Sequence, residues 1–257
     1  MNKKMLLSLC LLLPLVFITA CTPYRKPENT PPQTEPTPVV DTSEFNRGHN
    51  IPGKLYWAGS VKDKKVALTF DDGPENHWTP QILEVLQKKK VKATFFVIGK
   101  QVQSYPEVLR QIYDQGHVIG NHTLNHADLT KMSAPEVEKE LEDCAAIIQG
   151  IIGKSPRLVR PPFGFHNTTV DDTVYSKNQI IVLWSIDTED WQGLDAKTIK
   201  DSVLPKMKNG YIILQHSGVN PHLQGSLEAL PAIIDGLRSQ GFEFVTIPEL
   251  LRTEPYQ

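Results

Sequence analysis

The chain has 257 residues, of which 40% are hydrophobic and 22% charged, with Lys+Arg 27 against Asp+Glu 29 and a formal net charge of −2. That size holds one fair-sized domain with appendages, and the even charge balance excludes a polycation, so nucleic acid is a poor partner and steering onto an anionic surface is weak. The three cysteines, Cys10, Cys21 and Cys144, are too few and too scattered for a disulfide framework.

The first twenty residues read as an export signal. Lys3 and Lys4 precede an apolar run from Met5 to Ala20, a basic start followed by a hydrophobic stretch too short for a comfortable membrane span. It ends Ile18-Thr19-Ala20-Cys21, which resembles the bacterial lipobox, where the Cys is lipidated and becomes the new N-terminus. Without Lys3 and Lys4 the balance is 25 basic against 29 acidic residues, or −4. Beyond the signal, Pro23, Pro27, Pro31, Pro32, Pro36 and Pro38 alternate with Thr, Glu and Gln, a composition that favours an extended spacer. The expected organisation is a lipoprotein signal peptide over 1–20, a Pro-rich linker over 21–54 and a single folded domain over 55–257.

Within that domain, β-branched apolar runs alternate with helical periodicities. Strands are expected over 66–70, 93–98, 117–120, 158–159, 180–186, 211–214 and 242–245, and helices over 80–90, 106–115, 135–152 and 227–240. Strand alternating with helix argues for an α/β domain with a mostly parallel sheet. No G-x-G-x-x-G follows the first strand, so the dinucleotide fingerprint is missing. The polar groups that could do chemistry fall just after the strands, at Asp71/Asp72, His122, Arg160, Asp187/Asp190 and His216. Active sites of (β/α) barrels gather at that C-terminal rim. Cys144 lies on the apolar face of the helix over 135–152 and reads as a buried small hydrophobe.

Asp71-Asp72-Gly73-Pro74 has turn chemistry of its own. In a regular strand the two carboxylates would point to opposite faces, but the Gly-Pro ends the strand and lets them converge. His122-x-x-x-His126 places two imidazoles one helical turn apart if a turn begins at the strand end. Asp72, His122 and His126 would then offer one carboxylate and two neutral nitrogens to a divalent ion with an open position, with Asp71 left over as a candidate base. Arg160, in Arg160-Pro-Pro-Phe-Gly164, is a cation placed to pair with Asp71. Asp187-Thr-Glu-Asp-Trp191 sets acids beside a Trp, suited to orient a His next to an apolar wall. Leu214-Gln-His216 ends a strand on a His, a natural general acid. His49, His77, His117, His166 and His222 have no such context and are expected to be structural.

Taken in order, these five segments resemble the polysaccharide deacetylase family (the NodB homology domain, carbohydrate esterase family 4). Its pattern runs T-F-D-D, H-[S/T]-x-x-H, R-x-P-[Y/F], D-x-x-D-W and L-x-H, and all five occur here between about residues 60 and 250. The resemblance implies a distorted (β/α) barrel, a single catalytic domain of the NodB type. It implies one divalent metal, usually Zn2+ with Co2+, Ni2+ or Mn2+ as alternatives, held by Asp72, His122 and His126. Asp71 would be the general base and Arg160 its positioner, while His216, paired with Asp190, would be the general acid. Trp191 and Leu214 would line a pocket for the acetyl methyl, with Phe163 offering a backbone N–H and an aromatic face to substrate. The implied reaction is hydrolysis of N-acetyl groups on a cell-envelope glycan, peptidoglycan N-acetylglucosamine first. O-acetyl xylan, chitin and poly-N-acetylglucosamine stay open as substrates. Membrane lipid, through Cys21 on the outer face, is the second expected partner, and no protein partner is indicated. Two rivals remain: a non-haem iron(II) oxygenase, which shares the two-His-one-carboxylate set but usually sits on an all-β scaffold, and a non-catalytic glycan-binding lipoprotein, which would show a lost ligand or base.

Overall fold

The computed structural model describes residues 50–257; the expected signal peptide, Cys21 and nearly all of the linker lie outside the described residues. The chain runs β1 (Leu55–Tyr56), β2 (Lys65–Asp71), α1 (Trp78–Lys89), β3 (Thr94–Val97), α2 (Gly99–Ser104), α3 (Pro106–Asp114), β4 (Val118–Asn121), α4 (Ala134–Ile152), β5 (Leu158–Val159), α5 (Thr168–Ser176), β6 (Ile180–Val182), β7 (Ile186–Asp187), α6 (Ala196–Val203), β8 (Ile212–His216), α7 (Gln224–Ser239), β9 (Glu243–Phe244) and α8 (Ile247–Leu251). The strands lie in the order β1-β6-β5-β4-β3-β2-β8-β7, with β9 beside β2, and the pairs between named strands are parallel. This is the expected (β/α) architecture, curled and distorted. No helix among the described residues is long and apolar enough to cross a membrane.

The distortion has a local cause. Residues 180–186, expected as one strand, break in two because the chain changes neighbours within three residues: Leu183 N bonds Tyr56 O, while Ser185 N bonds Ile212 O. β6 therefore pairs with β5 and β1, and β7 with β8. The segment after β1 spans the gap this leaves. Ala58 forms an antiparallel bridge with Tyr211, Gly59 N donates to Gly210 O at 2.7 Å, and Ser185 Oγ donates to Trp57 O at 2.6 Å. Contacts are also made ahead of Leu55: Asn50 Oδ1 accepts from Trp57 N, and Ile51 bridges back to Leu55.

Both faces of β2 are buried, as a parallel strand under helices requires. Leu68 and Phe70 pack with Ile82 and Leu83 of α1 and Leu230, Ile233 and Ile234 of α7. Ala67, on the other face, joins Phe96, Leu158, Ile180, Val182 and Ile212 inside the curl. Gly120 passes so close to Phe96 that a Cβ there would sit 2.4 Å from the ring. α4 starts on a capping box of Ser133 and Glu136 and stops at Gly153 in the left-handed region; its apolar stripe buries Val137, Leu141, Cys144, Ile148 and Ile152. α2, α5, α6 and α8 were not expected from the sequence. They are five to nine residues long, and each buries only two or three residues, which leaves a weak helical period in the sequence.

Register brings the strand ends level. Asp71 pairs with Phe96 on one side and His216 on the other, Val97 with Asn121, Asn121 with Val159, and Asp187 with Leu214. The residues that follow these positions share one rim.

His117 shows what a structural histidine does here. It is 3% exposed, its Nδ1 accepts from Ala93 N at 3.1 Å, and its ring meets Phe95 edge-on. Burial, with Lys92 nearby, pushes its pKa down to about 4. A depressed histidine pKa stabilises the fold above the unfolded value near 6.5, and that stability is lost as pH falls toward 4. Chemical denaturation should show His117→Gln losing less stability than wild type between those limits, with a difference on the order of 3 kcal/mol. Equal acid sensitivity in the two proteins would contradict the assignment.

Candidate metal centre and active site

β2 delivers two carboxylates to one place by an abrupt change of backbone. Asp71 is the last residue of the strand, and Asp72 turns into the left-handed region at φ 72°, a conformation that non-glycine residues rarely hold without a local reason. The turn at Asp72 itself, more than the Gly-Pro after it, cancels the strand alternation. Asp72 Oδ1 then lies 3.4 Å from His122 Nε2 and 3.4 Å from His126 Nε2. It is buried and has no hydrogen-bond partner. Burial works against its charge, but His122, His216 and His126 outweigh that and hold its pKa down to about 2.

The two histidines converge without a helical turn. His122 follows β4, and residues 122–126 form a loop in which Thr123 (φ 69°) and His126 (φ 57°) are both left-handed. The expected turn is replaced because side chains capture the loop backbone: Asn121 Oδ1 accepts from Thr123 N, and Glu140 Oε2 accepts from Asn125 N. His122 Nδ1 is 2.6 Å from Arg160 O. A carbonyl can only accept, so Nδ1 carries a proton, and in the neutral ring Nε2 is the nitrogen with a lone pair for a metal.

These three residues fit a divalent metal. A tetrahedral ion with bonds of about 2.1 Å sets its ligand atoms about 3.4 Å apart, the separation found from Asp72 Oδ1 to each Nε2. All three ligand atoms lie within 4.8 Å of one another. The orphaned carboxylate oxygen, the fixed tautomer of His122 and the mixed N/O donor set agree with one another.

Asp71 is a separate element of the site. Arg160, fully buried, gives it Nη1 at 2.7 Å to Oδ1, leaving Oδ2 turned toward His122 Nε2 at 3.7 Å. The guanidinium is held by further bonds, with Nη1 also on Thr69 Oγ1, Nε on Val182 O and Nη2 on Leu183 O, at 2.9, 2.9 and 3.1 Å. Its plane lies over Phe96, 4.1 Å from the ring centre.

His216 closes the set from β8. Asp190, completely buried, accepts from His216 Nδ1 at 2.7 Å and from His216 N at 3.0 Å. Ser226 Oγ donates to Asp190 Oδ2 at 2.6 Å and is itself bonded by Gln215 Nε2. Burial lowers the pKa of His216, but Asp190, then Asp72 and Asp71, push it up to about 10. A bound cation would offset the last two carboxylates and bring it down from there. The two aspartates of Asp187-Thr-Glu-Asp190 divide their work: Asp187 accepts from Glu189 N at 2.8 Å and shapes the turn, with burial raising its pKa to about 6, and Asp190 reaches the histidine.

The predicted wall residues take different places. Phe163 is half exposed and meets His126 edge-on at 4.7 Å; its φ of 61° is in the left-handed region. Leu214 is buried two residues before His216 and so shares its face of β8. Trp191 is exposed beside Asp190. The sequence reading missed Thr69, Asn121, Glu140, Gln215 and Ser226. Gln215 and Asn121 could have been suspected as polar residues at strand ends; Ser226 and Glu140 lie inside helices and carried no signal.

Comparison with known proteins defines the class. The model of the polysaccharide deacetylase family matches residues 58–179. A curated peptidoglycan-N-acetylglucosamine deacetylase of Bacillus cereus is 41% identical over 197 residues, 77% of this chain and 72% of that protein. A second from the same organism is 39% identical over 202 residues, covering 78% of this chain and 94% of that one. A solved peptidoglycan N-acetylglucosamine deacetylase, in complex with an N-oxidanyl-benzamide, superposes with a TM-score of 0.78 at 39% identity, over 79% of this chain and 95% of that chain. The chain belongs to the polysaccharide deacetylase family, and its fold is the parallel-stranded barrel of that family.

Arg160 is the most heavily bonded charge at the rim, and a lysine cannot reach its four acceptors. Arg160→Lys keeps the charge but strands buried acceptors, and should lower stability in urea by about 1–3 kcal/mol. A change below about 1 kcal/mol, typical of a surface pair, would contradict this account of the guanidinium.

Proposed function

We propose that this protein hydrolyses the N-acetyl group of peptidoglycan N-acetylglucosamine, releasing acetate and leaving an amine on the glycan. One observation carries the reading: a buried, unpartnered Asp72 oxygen stands 3.4 Å from two imidazole nitrogens, flanked by an Arg-held carboxylate and an Asp-held imidazole. The substrate follows from the names of the Bacillus cereus relatives. A divalent cation on Asp72, His122 and His126, Zn2+ by this donor set, would supply Lewis acidity to the acetyl carbonyl and lower the pKa of water.

The chain's own residues do the rest. Asp71, fixed through Oδ1 by Arg160, takes a proton from the attacking water with Oδ2. Oxygen bonds to the acetyl carbon, and the N–H of Phe163 steadies the oxyanion that develops. His216, kept protonated by Asp190, gives its proton to the sugar nitrogen as the C–N bond breaks. An amine leaves poorly without that proton, so the acid matters more for an amide than for an ester. Trp191 and Leu214 border the acetyl methyl. A rim of strand-end loops is an open groove, suited to one sugar of a long polymer. The same site on O-acetyl xylan, chitin or poly-N-acetylglucosamine is the alternative; the relatives named above favour peptidoglycan.

We also propose that residues 1–20 are an export signal and that Cys21 carries a lipid on the outer face of the membrane, supported by Ile18-Thr-Ala-Cys21 and the Pro-rich segment after it. At about 3.1 Å per residue, some thirty extended residues reach on the order of 90 Å, into overlying wall.

Two experiments test these readings. Purified protein incubated with peptidoglycan should release acetate and an equal amount of new primary amine, and Asp71→Asn or His216→Ala should cut both by roughly 10²–10⁴ with metal content unchanged. Acetate from acetylated xylan, with no amine from any hexosamine glycan, would make the protein an esterase. Cys21→Ser should free active protein from the membrane fraction; wild type that already fractionates as soluble, with no acyl group, would refute the anchor.

A further inference from the structure

The loop between the two histidines is fastened from both sides, by Thr123 within the family's pattern and by Asn121, Glu140 and the start of α2 outside it. Each backbone N–H from Thr123 to His126 has an acceptor: Asn121 Oδ1 for Thr123 at 2.8 Å, Glu140 O for Leu124 at 3.1 Å, Glu140 Oε2 for Asn125 at 2.9 Å, and Thr123 Oγ1 for His126 at 3.0 Å. Glu140 takes two of the four, and its Oε1 also accepts from Asn125 Nδ2. From the opposite side, Gly99 N and Lys100 N, at the start of α2, donate to Thr123 O and Leu124 O at 2.9 and 3.0 Å. A Cβ on Gly99 would come within 2.9 Å of Leu124 Cδ1, so the loop sits directly on that helix start.

Glu140 is 8% exposed on α4, and the side-chain bonds of its carboxylate all go to Asn125. A buried carboxylate with that one task has a role tied to that loop. The loop needs it, because two of its non-glycine residues are left-handed, a conformation that persists only when the surroundings enforce it. Released, residues 123–126 would relax toward ordinary backbone with Asn125 N–H turned to water, and His126 would drift from His122. Donors that must be re-ordered on each binding event hold an ion less tightly than donors already in place.

We propose that Glu140 is a positioning residue that sets the metal affinity of this protein by locking the loop between His122 and His126. The inference rests on Asp72, His122 and His126 being the metal ligands, and it goes further by assigning the affinity to a helix residue that touches neither the ion nor the substrate.

The test is zinc affinity, measured on the full domain by competition with a chromophoric chelator, with circular dichroism to confirm folding. Wild type should bind one equivalent, and His126→Ala should lose it; failure of either would overturn the metal site itself, apart from any role of Glu140. Glu140→Gln sets an amide N–H against the amide of Asn125 and should weaken zinc by roughly 10–100-fold, while turnover at saturating zinc returns to near wild type. Adding Asn125→Asp lets the introduced amide donate to an introduced carboxylate, and should recover most of the lost affinity. A merely structural role would lower the melting temperature and leave the zinc constant alone. Folded Glu140→Gln that binds zinc within about twofold of wild type would overturn the inference, as would full loss of turnover at saturating zinc with normal affinity. If Glu140→Gln does not fold, Asn125→Ala decides: it removes one bond and should weaken zinc by a smaller factor, and unchanged affinity would count against the proposal.

Discussion

Two neighbouring carboxylates at the end of one strand, Asp71 buried and Asp72 with one oxygen buried, cannot both stay charged at low cost unless each finds positive partners of its own. Most of the rim follows from that constraint. Asp71 finds Arg160, whose guanidinium is desolvated completely and so must satisfy its remaining N–H groups on Thr69, Val182 and Leu183. Arg160 in turn offers its carbonyl to His122 and fixes that ring's tautomer. Asp72 finds imidazoles at 3.4 Å with an oxygen that bonds to nothing. The chain completes the first pair by itself, and around the second it sets two imidazole nitrogens at a distance that suits a shared metal ion.

The flanking residues keep these charges apart in function. Asp71 is bonded at one oxygen and open at the other, as a base must be. His216 is bonded at Nδ1 and at its backbone N by the same carboxylate, which Ser226 and Gln215 hold in place, so its other ring nitrogen is the one that can give a proton. Rigidity comes from elements with no chemistry of their own. Helix starts, helix faces and level strand ends set the geometry, and the left-handed residues Asp72, Thr123, His126 and Phe163 mark where the backbone bends to serve it.

Much of this was legible in the sequence because strand ends in an α/β barrel are read from apolar runs, and polar residues just beyond them share a rim. Asp71, Asp72, His122, Arg160, Asp190 and His216 all stand at such ends. The spacing His122-x-x-x-His126 was legible as a pair but misread as a helical turn, since the contacts that shape the loop come from Glu140, 15 residues further along the chain from Asn125. Ser226 was illegible for the same reason, 36 residues from Asp190. The break within 180–186 was hidden because Leu183 and Ser185 choose different neighbours, and such choices depend on β1, a two-residue strand with no periodicity to read. Local signals gave the residues of the rim; the long-range bonds that hold them in place left no mark in composition or spacing.

The central claim is that the third charge of this site is a metal ion on Asp72, His122 and His126, with Asp71 kept off the metal by Arg160. A crystal structure of zinc-loaded protein, with the ion located by anomalous scattering, addresses it most directly. The account predicts one ion about 2.0–2.2 Å from an Asp72 oxygen and from Nε2 of both histidines, with Asp71 Oδ1 still on Arg160. An ion held by another set of side chains, or Asp71 turned from Arg160 to ligate it, would contradict the account.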